Sequence, residues 1–375
     1  MSRLVTMVTR PVKIVQKKMA KKQNLKQVGF EESNKKRSAS LLIKDEKTVS
    51  SLSKQEGVEI WPIAKALAEF KEIDKYFGRL IRAKKDAYVA KVYDQRQSGY
   101  FIRIVAGVKA KLPTQACLYI KKSNFEQRVH NIIIAEENSE LEIISGCLTG
   151  QSAQQAIHLG ISEIFVKKEA KLTLTMVHKW NKTTKVRPRT AIKVEDGGLF
   201  VSNYVCLDSV KDLQMKPVCY LEGDKSRANF NSLVYAPPQS QIDLGVVVYL
   251  RGKNSRAKIA SKIVCNQAKV INRGRLVGQG EKSKAHLECG GLIVSKRGMI
   301  RAIPEIEGQL ANSDLSHEAS IGQLSAEAIE YLMARGLSRD KAVSLLISGF
   351  LSLPKFKLPK EVEKEIGKID FRKAT

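Results

Sequence analysis

From about residue 100 to residue 312, short runs of alternating apolar and polar residues are broken by polar turns at nearly even intervals. Leu172, Leu174, Met176, His178 and Trp180 fall on one side of such a run, while Lys171, Thr173, Thr175 and Lys179 fall on the other. A period of two is that of a β-strand with one buried face. Similar runs surround Ile132 to Ile144, Val246 to Leu250 and Leu287 to Val294. Turns begin at Glu137, Lys167, Glu195, Glu222, Arg251 and Gln279, which are 30, 28, 27, 29 and 28 positions apart. Two strands per unit at a nearly fixed period predict stacked coils, a mainly β chain folded as a parallel β-helix, rather than a sandwich of unequal strands.

The flanks have a different rhythm. Pro62 to Phe70 and Lys71 to Phe77 read as short helices. After the coils, Ser325 is placed to cap a helix carrying Ile329, Leu332 and Met333, stopped by Gly336. A second helix starts near Ser338 with Val343, Leu346, Ile347 and Phe350 at helical spacing, a stripe that meets either the solenoid or a partner. The expected division is a basic, flexible tail over 1–55, a helical region over 56–99, a β-helix core over 100–322 and a helical region over 323–375.

Charge changes this picture little. Lysine and arginine number 65 against 38 aspartates and glutamates, a net charge of +27. Part of the excess is concentrated between Arg10 and Arg37, where like charges keep a chain solvated and extended. The rest is dispersed, no nucleic-acid-binding motif accompanies it, and nucleic acid is not the expected partner. No stretch approaches the ~20 apolar residues of a membrane span, and the first 30 residues contain no apolar signal core. The expected location is the cytoplasm. No phosphate-binding loop, nucleophile elbow or metalloprotease helix is present, so the chain is expected to bind no nucleotide itself and to act other than as an enzyme.

Six cysteines stand singly, without the close pairs of a zinc ribbon or a secreted disulfide framework. Cys289 is followed 28 and 29 positions later by His317 and Glu318, one coil period on, which would stack thiolate, imidazole and carboxylate in neighbouring rungs. Such a set suits labile ligation of iron and sulfide. Cys147 shares the parity of Leu141, Ile143 and Ser145, so an undisturbed strand points its thiol inward, although Gly146 could break the alternation. Cys117, Cys206, Cys219 and Cys265 read as core thiols, and His130, His158 and His286 have no evident partner.

At these residues the sequence resembles the SufB/SufD family of iron-sulfur cluster assembly proteins, over about Gly57 to Ser352. Glu56-Gly57-Val58 with Tyr76-Phe77-Gly78 resembles the family's N-terminal helical region, and Phe125-Glu126-Gln127-Arg128 its first rung. Ser145-Gly146-Cys147 is similar to the sulfur-receiving segment of SufB, and Trp180 falls in the matching aromatic-containing strand. Cys289-Gly290-Gly291-Leu292-Ile293 and Ser316-His317-Glu318-Ala319-Ser320-Ile321-Gly322 keep the SufB spacing, whereas SufD proteins generally lack that cysteine. Arg335-Gly336-Leu337-Ser338 and Ile347-Ser348-Gly349-Phe350 resemble the helices that contact the SufC ATPase.

The resemblance implies a right-handed β-helix acting as a scaffold of the SUF system. Cys147 would accept sulfur from a cysteine desulfurase system, His178 and Lys193 would line a transfer path, and Cys289, His317 and Glu318 would hold a transient iron-sulfur cluster. A second SufB/SufD subunit and a SufC-type ATPase would be partners, the latter through Val343, Leu346, Ile347 and Phe350. Rival readings are a SufD-like structural subunit, a polysaccharide-acting solenoid enzyme and a basic nucleic-acid-binding protein. The polysaccharide reading lacks the acidic cluster such enzymes need.

Overall fold

The computed structural model describes residues 25–94, 98–310, 312–351 and 363. The strands stack into two ten-stranded sheets that enclose one continuous apolar core, a β-solenoid of about eight turns with helices at both ends. Within the coils the pairing is parallel and in register, so Leu118 lies opposite Cys147, Cys147 opposite His178, and His178 opposite Cys206. The turns stack as well. Asn138, Glu169, Gly197, Lys225, Asn254 and Lys282 adopt positive φ at equivalent corners, and from Asn138 to Asn254 each donates its backbone N–H to a turn carbonyl of the next coil. At the same corner a side chain on Gly252 would collide with the carbonyl of Gly223, so glycine is what lets these turns nest.

The solenoid starts earlier than residue 56. Ala39–Lys44 pairs in parallel with Thr114–Ile120, and Lys47–Ser53 folds back on it antiparallel. The tail expected through residue 55 is corrected to this extent: the surrounding lysines mask the apolar run of Ala39, Leu41, Leu42 and Ile43 that forms the first rung. Residues 1–24 lie outside the described residues.

Ahead of that rung, Leu25, Val28 and Phe30 cover the outer faces of Leu42, Cys117, Tyr119, Leu148, Val177 and Val205. Buried polar contacts fix this cover: Arg37 Nε donates to Gln115 Oε1 (2.8 Å), Arg37 Nη2 to the Gly29 carbonyl (3.0 Å), and Gln115 Nε2 to the Glu31 carbonyl (2.8 Å). Gly146 faces outward beneath Val28, whose side chain would meet an added Cβ at 2.6 Å. Glycine therefore serves close packing here and leaves the alternation of Ser145 and Cys147 intact.

The N-terminal helices Ile63–Glu69 and Ala87–Tyr93 lie on the second sheet, the latter capped by Asp86, whose carboxylate accepts from Val89 N–H (2.9 Å). Their anchor is the fully buried Glu163. It accepts from the backbone N–H groups of Gly78 (2.7 Å), Leu80 (2.6 Å) and Ile81 (3.3 Å), and meets His130 Nε2 at 2.8 Å. Phe77 covers the imidazole at 4.1 Å between ring centroids.

At the other end, Ser325 caps Ala326–Ala334 by accepting from Ala328 N–H (3.1 Å), Gly336 turns the chain with φ +90°, and Arg339–Leu351 follows. The stripe on this second helix packs inward: Val343 and Ile347 are buried with Leu233 and Val264, and Leu346 and Phe350 adjoin them. As a partner-binding surface the stripe is therefore corrected, because the outer face of the sheet offers it an apolar bed. Tyr331, Met333 and Leu345 remain exposed.

Replacing Glu163 strands three buried or part-buried N–H donors and a buried imidazole. Glu163→Ala should lower unfolding free energy by about 3–5 kcal/mol, read from the urea midpoint, and Glu163→Gln by less, since an amide oxygen still accepts. Equal losses would show that the packing of the site, not acceptance by Glu163, carries the stability.

Candidate functional site

Two adjacent columns run along the inner face of the first sheet. One stacks Cys147, His178, Cys206, Val234 and Ile263. The other stacks Ser145, Met176, Tyr204, Ser232, Ser261, Cys289 and Ala319. Side chains of one column recur about 4.8 Å apart, so Cys147 and Cys289, five coils apart, are separated by about 24 Å along the axis. Beyond Cys206 the first column becomes aliphatic, whereas the second carries hydroxyls from Tyr204 to Ser261. The crossing point is a hydrogen bond of 3.1 Å between Tyr204 Oη and His178 Nδ1.

Cys147 is buried at the early end of this line, and burial pushes its thiol up to about 12, against a small opposing effect of Ser145. It is protonated at neutral pH. His178 is held down to about 3 by burial and then by His158, itself lowered to about 4 by burial. Both rings face Trp180, at 5.1 Å from His158 and 5.0 Å from His178, and the indole N–H is buried without an acceptor among the described residues. Gln127 Oε1 and His158 Nδ1 stand 2.9 Å apart. A cavity of about 30 Å³ opens beside the crossing point, lined by Met176, Thr190, Ser202, Tyr204, Met215 and Ser232 among others. It has room for a water-sized guest.

At the far end, burial raises the Cys289 thiol while Ser261 and Asn272 oppose the shift by hydrogen bonding to it. Asn272 Nδ2 in turn donates to Ser261 Oγ (2.7 Å), tying the two sheets together behind the sulfur. The partners expected for Cys289 are displaced. The last coil takes 30 residues rather than 28 or 29, so Ala319 lies opposite Cys289, His317 opposite Leu287 and Glu318 opposite Glu288. His317 shares the inner face with Cys289 one rung further on, at the exposed last strand, whereas Glu318 has the opposite parity and points to the outer side. No cluster of three or more potential metal ligands occurs among the described residues. Cys289 and His317 are brought to one face and Glu318 is not.

Lys193 is also displaced. It lies on the outer face of its strand, part-exposed, 3.7 Å from Glu195, while its neighbours Ile192 and Val194 fill the core. The turn residues before it set its parity and take it off the inner wall. Cys206, Cys219 and Cys265 are core thiols, and Cys117 is buried under the N-terminal cover. Sequence reasoning missed Tyr204, Ser232, Ser261 and Asn272. Their signal is a polar residue at an inward position of a strand, visible only once the register is known.

Residues 118–350 match the family model for the SufBD core domain of SUF-system FeS cluster assembly. The chain belongs to the SufBD family. It is 46% identical over 345 residues to an iron-sulfur cluster assembly SufBD family protein of Archaeoglobus fulgidus, covering 92% of this chain and 93% of that one. A protein of the same description from Methanothermobacter thermautotrophicus strain Winter is 38% identical, over 92% and 85% of the two chains. One from Pyrococcus horikoshii is 30% identical, over 84% and 71%. The solenoid is thus that of an iron-sulfur cluster assembly family, and no helix among the described residues is long and apolar enough to cross a membrane.

The two buried imidazoles make a signed prediction. An unfolded histidine titrates near 6.5, so the unfolded chain takes up protons that the native His158 and His178 refuse. Their contribution is complete above about pH 6.5 and is lost as pH falls toward 4 and 3, by about 1.4 kcal/mol per pH unit for each group within its window. The double change His158→Asn and His178→Asn should flatten the stability profile between pH 6 and 4, measured by chemical denaturation. An unchanged slope would mean that both rings are already charged in the native state.

Proposed function

We propose that this chain is a SufB-like scaffold rather than an enzyme, one that takes up sulfur at Cys147 and assembles a nascent cluster at Cys289. The observation that carries the reading is the internal line of polar and soft groups, Cys147 to His178, Tyr204, Ser232, Ser261 and Cys289, inside a mainly apolar core. Burying so many hydroxyls in one file has no advantage for packing alone. Lys193 is not part of that line.

The sulfur donor, a cysteine desulfurase system, presents a persulfide. Attack by the Cys147 sulfur on its outer atom leaves a Cys147 persulfide and the donor's free thiol. The thiolate is the competent form, so docking of the donor must supply a base or loosen the apolar surroundings that keep Cys147 protonated. At the other end, Cys289 supplies one thiolate to iron, and His317 an imidazole from the open rung next to it. The exposed last strand presents unpaired backbone groups that a second SufB/SufD subunit would cover. Such a subunit supplies the remaining ligands, with Glu318 on the outer side available only through that contact. A site with one thiolate holds its cargo more weakly than four, which suits a cluster that must leave.

A SufC-type ATPase is the partner proposed for the C-terminal helices, through the exposed Tyr331, Met333 and Leu345 in place of the buried stripe. Leu345→Asp should abolish co-purification with such an ATPase while leaving the thermal midpoint unchanged. Retained co-purification would place the contact elsewhere.

The central test separates the two cysteines. Cys289→Ala should abolish cluster absorption on anaerobic reconstitution with iron and free sulfide. Cys147→Ala should leave that reconstitution intact and fail only when sulfur must come from a desulfurase. Identical behaviour of the two variants in both assays would refute the division of roles, and full reconstitution of Cys289→Ala would favour a SufD-like structural subunit.

A further inference from the structure

Along the outer surface of the solenoid, charges on neighbouring coils are paired by sign. Lys171 meets Glu140 (3.8 Å), Arg251 meets Glu222 (2.6 Å), Arg273 meets Asp243 (2.7 Å), Lys258 meets Glu288 (3.5 Å) and Lys284 meets Asp314 (3.2 Å). In a structure built of in-register rungs this is the expected economy, because opposite charges directly across strands attract and like charges repel.

One column departs from it. Arg227 lies directly opposite Arg256, and Arg256 directly opposite Lys284. Both arginines are exposed, and neither is within salt-bridge distance of a carboxylate among the described residues. Three successive strands of this sheet, Leu199–Cys206, Arg227–Ala236 and Arg256–Cys265, contain no aspartate or glutamate. Lys225 and Lys282 are exposed at the stacked corner beside the column, and Lys258 lies on the same outer face. The result is a basic strip in which Arg227 and Arg256 face no carboxylate, flanked by Lys258 and Lys284, which pair with Glu288 and Asp314, and by the exposed Asp224 and Glu281 at the corner; it is bounded by the C-terminal helices, whose apolar bed uses the later half of the same strands. Two guanidinium groups stand one rung apart, and no carboxylate among the described residues lies within ion-pair distance of either.

We propose that this strip, centred on Arg227 and Arg256, docks an acidic segment of a partner protein. Guanidinium groups bind carboxylates in paired hydrogen bonds, and their fixed spacing along the solenoid axis presents a row of such sites to an extended chain. A nucleic acid fits less well, because the outward aromatic of these strands, Tyr235, packs against the C-terminal helices and none stands beside Arg227 or Arg256 for a base to stack on. The proposal is independent of the roles assigned to Cys147 and Cys289.

The test titrates the full chain with fluorescently labelled poly-L-glutamate and, separately, with labelled oligothymidylate of equal length. It compares wild type with Arg227→Glu/Arg256→Glu and with a control reversal of equal charge on other exposed lysines, Lys121→Glu/Lys296→Glu. The strip variant should bind poly-L-glutamate on the order of tenfold more weakly or worse, with a reduced salt dependence, while the control retains most of the affinity. Its thermal midpoint and its cluster reconstitution should match wild type. Equal weakening in the two double variants would reduce the effect to bulk charge and overturn the proposal. So would absence of poly-L-glutamate binding by wild type, or tighter strip-dependent binding of oligothymidylate, which would make the strip a nucleic-acid surface.

Discussion

Everything in this molecule depends on parallel pairing in register. Each inward position is repeated by the residue one coil later, so a column of side chains about 4.8 Å apart is laid down by residues 27 to 31 positions distant in sequence. The corners make that register permanent, since the left-handed residues at Asn138, Glu169, Gly197, Lys225, Asn254 and Lys282 stack and their N–H groups bond from coil to coil. A slip of one residue in any strand would turn its whole apolar set outward. The chemistry is therefore placed with the same certainty as the core, because it uses the same columns.

That placement decides the protonation of the groups involved. The interior is dry enough to keep Cys147 a thiol and to keep His158 and His178 neutral far below the ordinary range. Neutral imidazoles and hydroxyls can accept and donate hydrogen bonds without the desolvation cost of an ion, so a polar file inside an apolar core is tolerated. Cys289 sits one rung below the exposed end, where two hydrogen bonds partly offset the effect of burial on its thiol. The early end of the line is thus the more deeply buried, and the late end lies next to the exposed last strand.

The period of two and the turn spacing made the solenoid legible from sequence, as did the capping serine at Ser325 and the stop at Gly336. The resemblance made the family legible. What failed did so at the scale of one or two residues. Glu318 follows from counting a period and Lys193 from the resemblance, but the last coil is 30 residues long and the turns before Lys193 differ in length, so each is carried to the outer face. The stripe of Val343 and Ile347 was recognised correctly as apolar, yet periodicity cannot say what an apolar stripe covers. The early rung at Ala39–Lys44 was hidden by flanking lysines, whose charge says nothing about the residues between them. Tyr204, Ser232 and Ser261 could not be found at all without register, since a single inward hydroxyl in one strand has no pattern.

A solenoid resolves a conflict that a compact fold would find harder. Sulfur must be kept from water and from stray oxidants, which calls for a continuous dry interior, whereas a nascent cluster must meet iron and then depart, which calls for an open edge. A closed barrel offers the first and a surface cleft the second. A stack of coils offers both along one axis, because every coil but the last is covered by its neighbour. The last strand, Asp314–Gln323, is exposed along nearly its whole length and bears His317 on the inner face, one rung beyond Cys289 and in the neighbouring column above Leu287. The incompleteness that leaves the edge unpaired also leaves the ligand set of the proposed scaffold unfilled, so that covering the edge with a second subunit and completing the site would be one event. In the proposed scaffold, assembly of the complex and competence to hold a cluster are coupled by geometry alone.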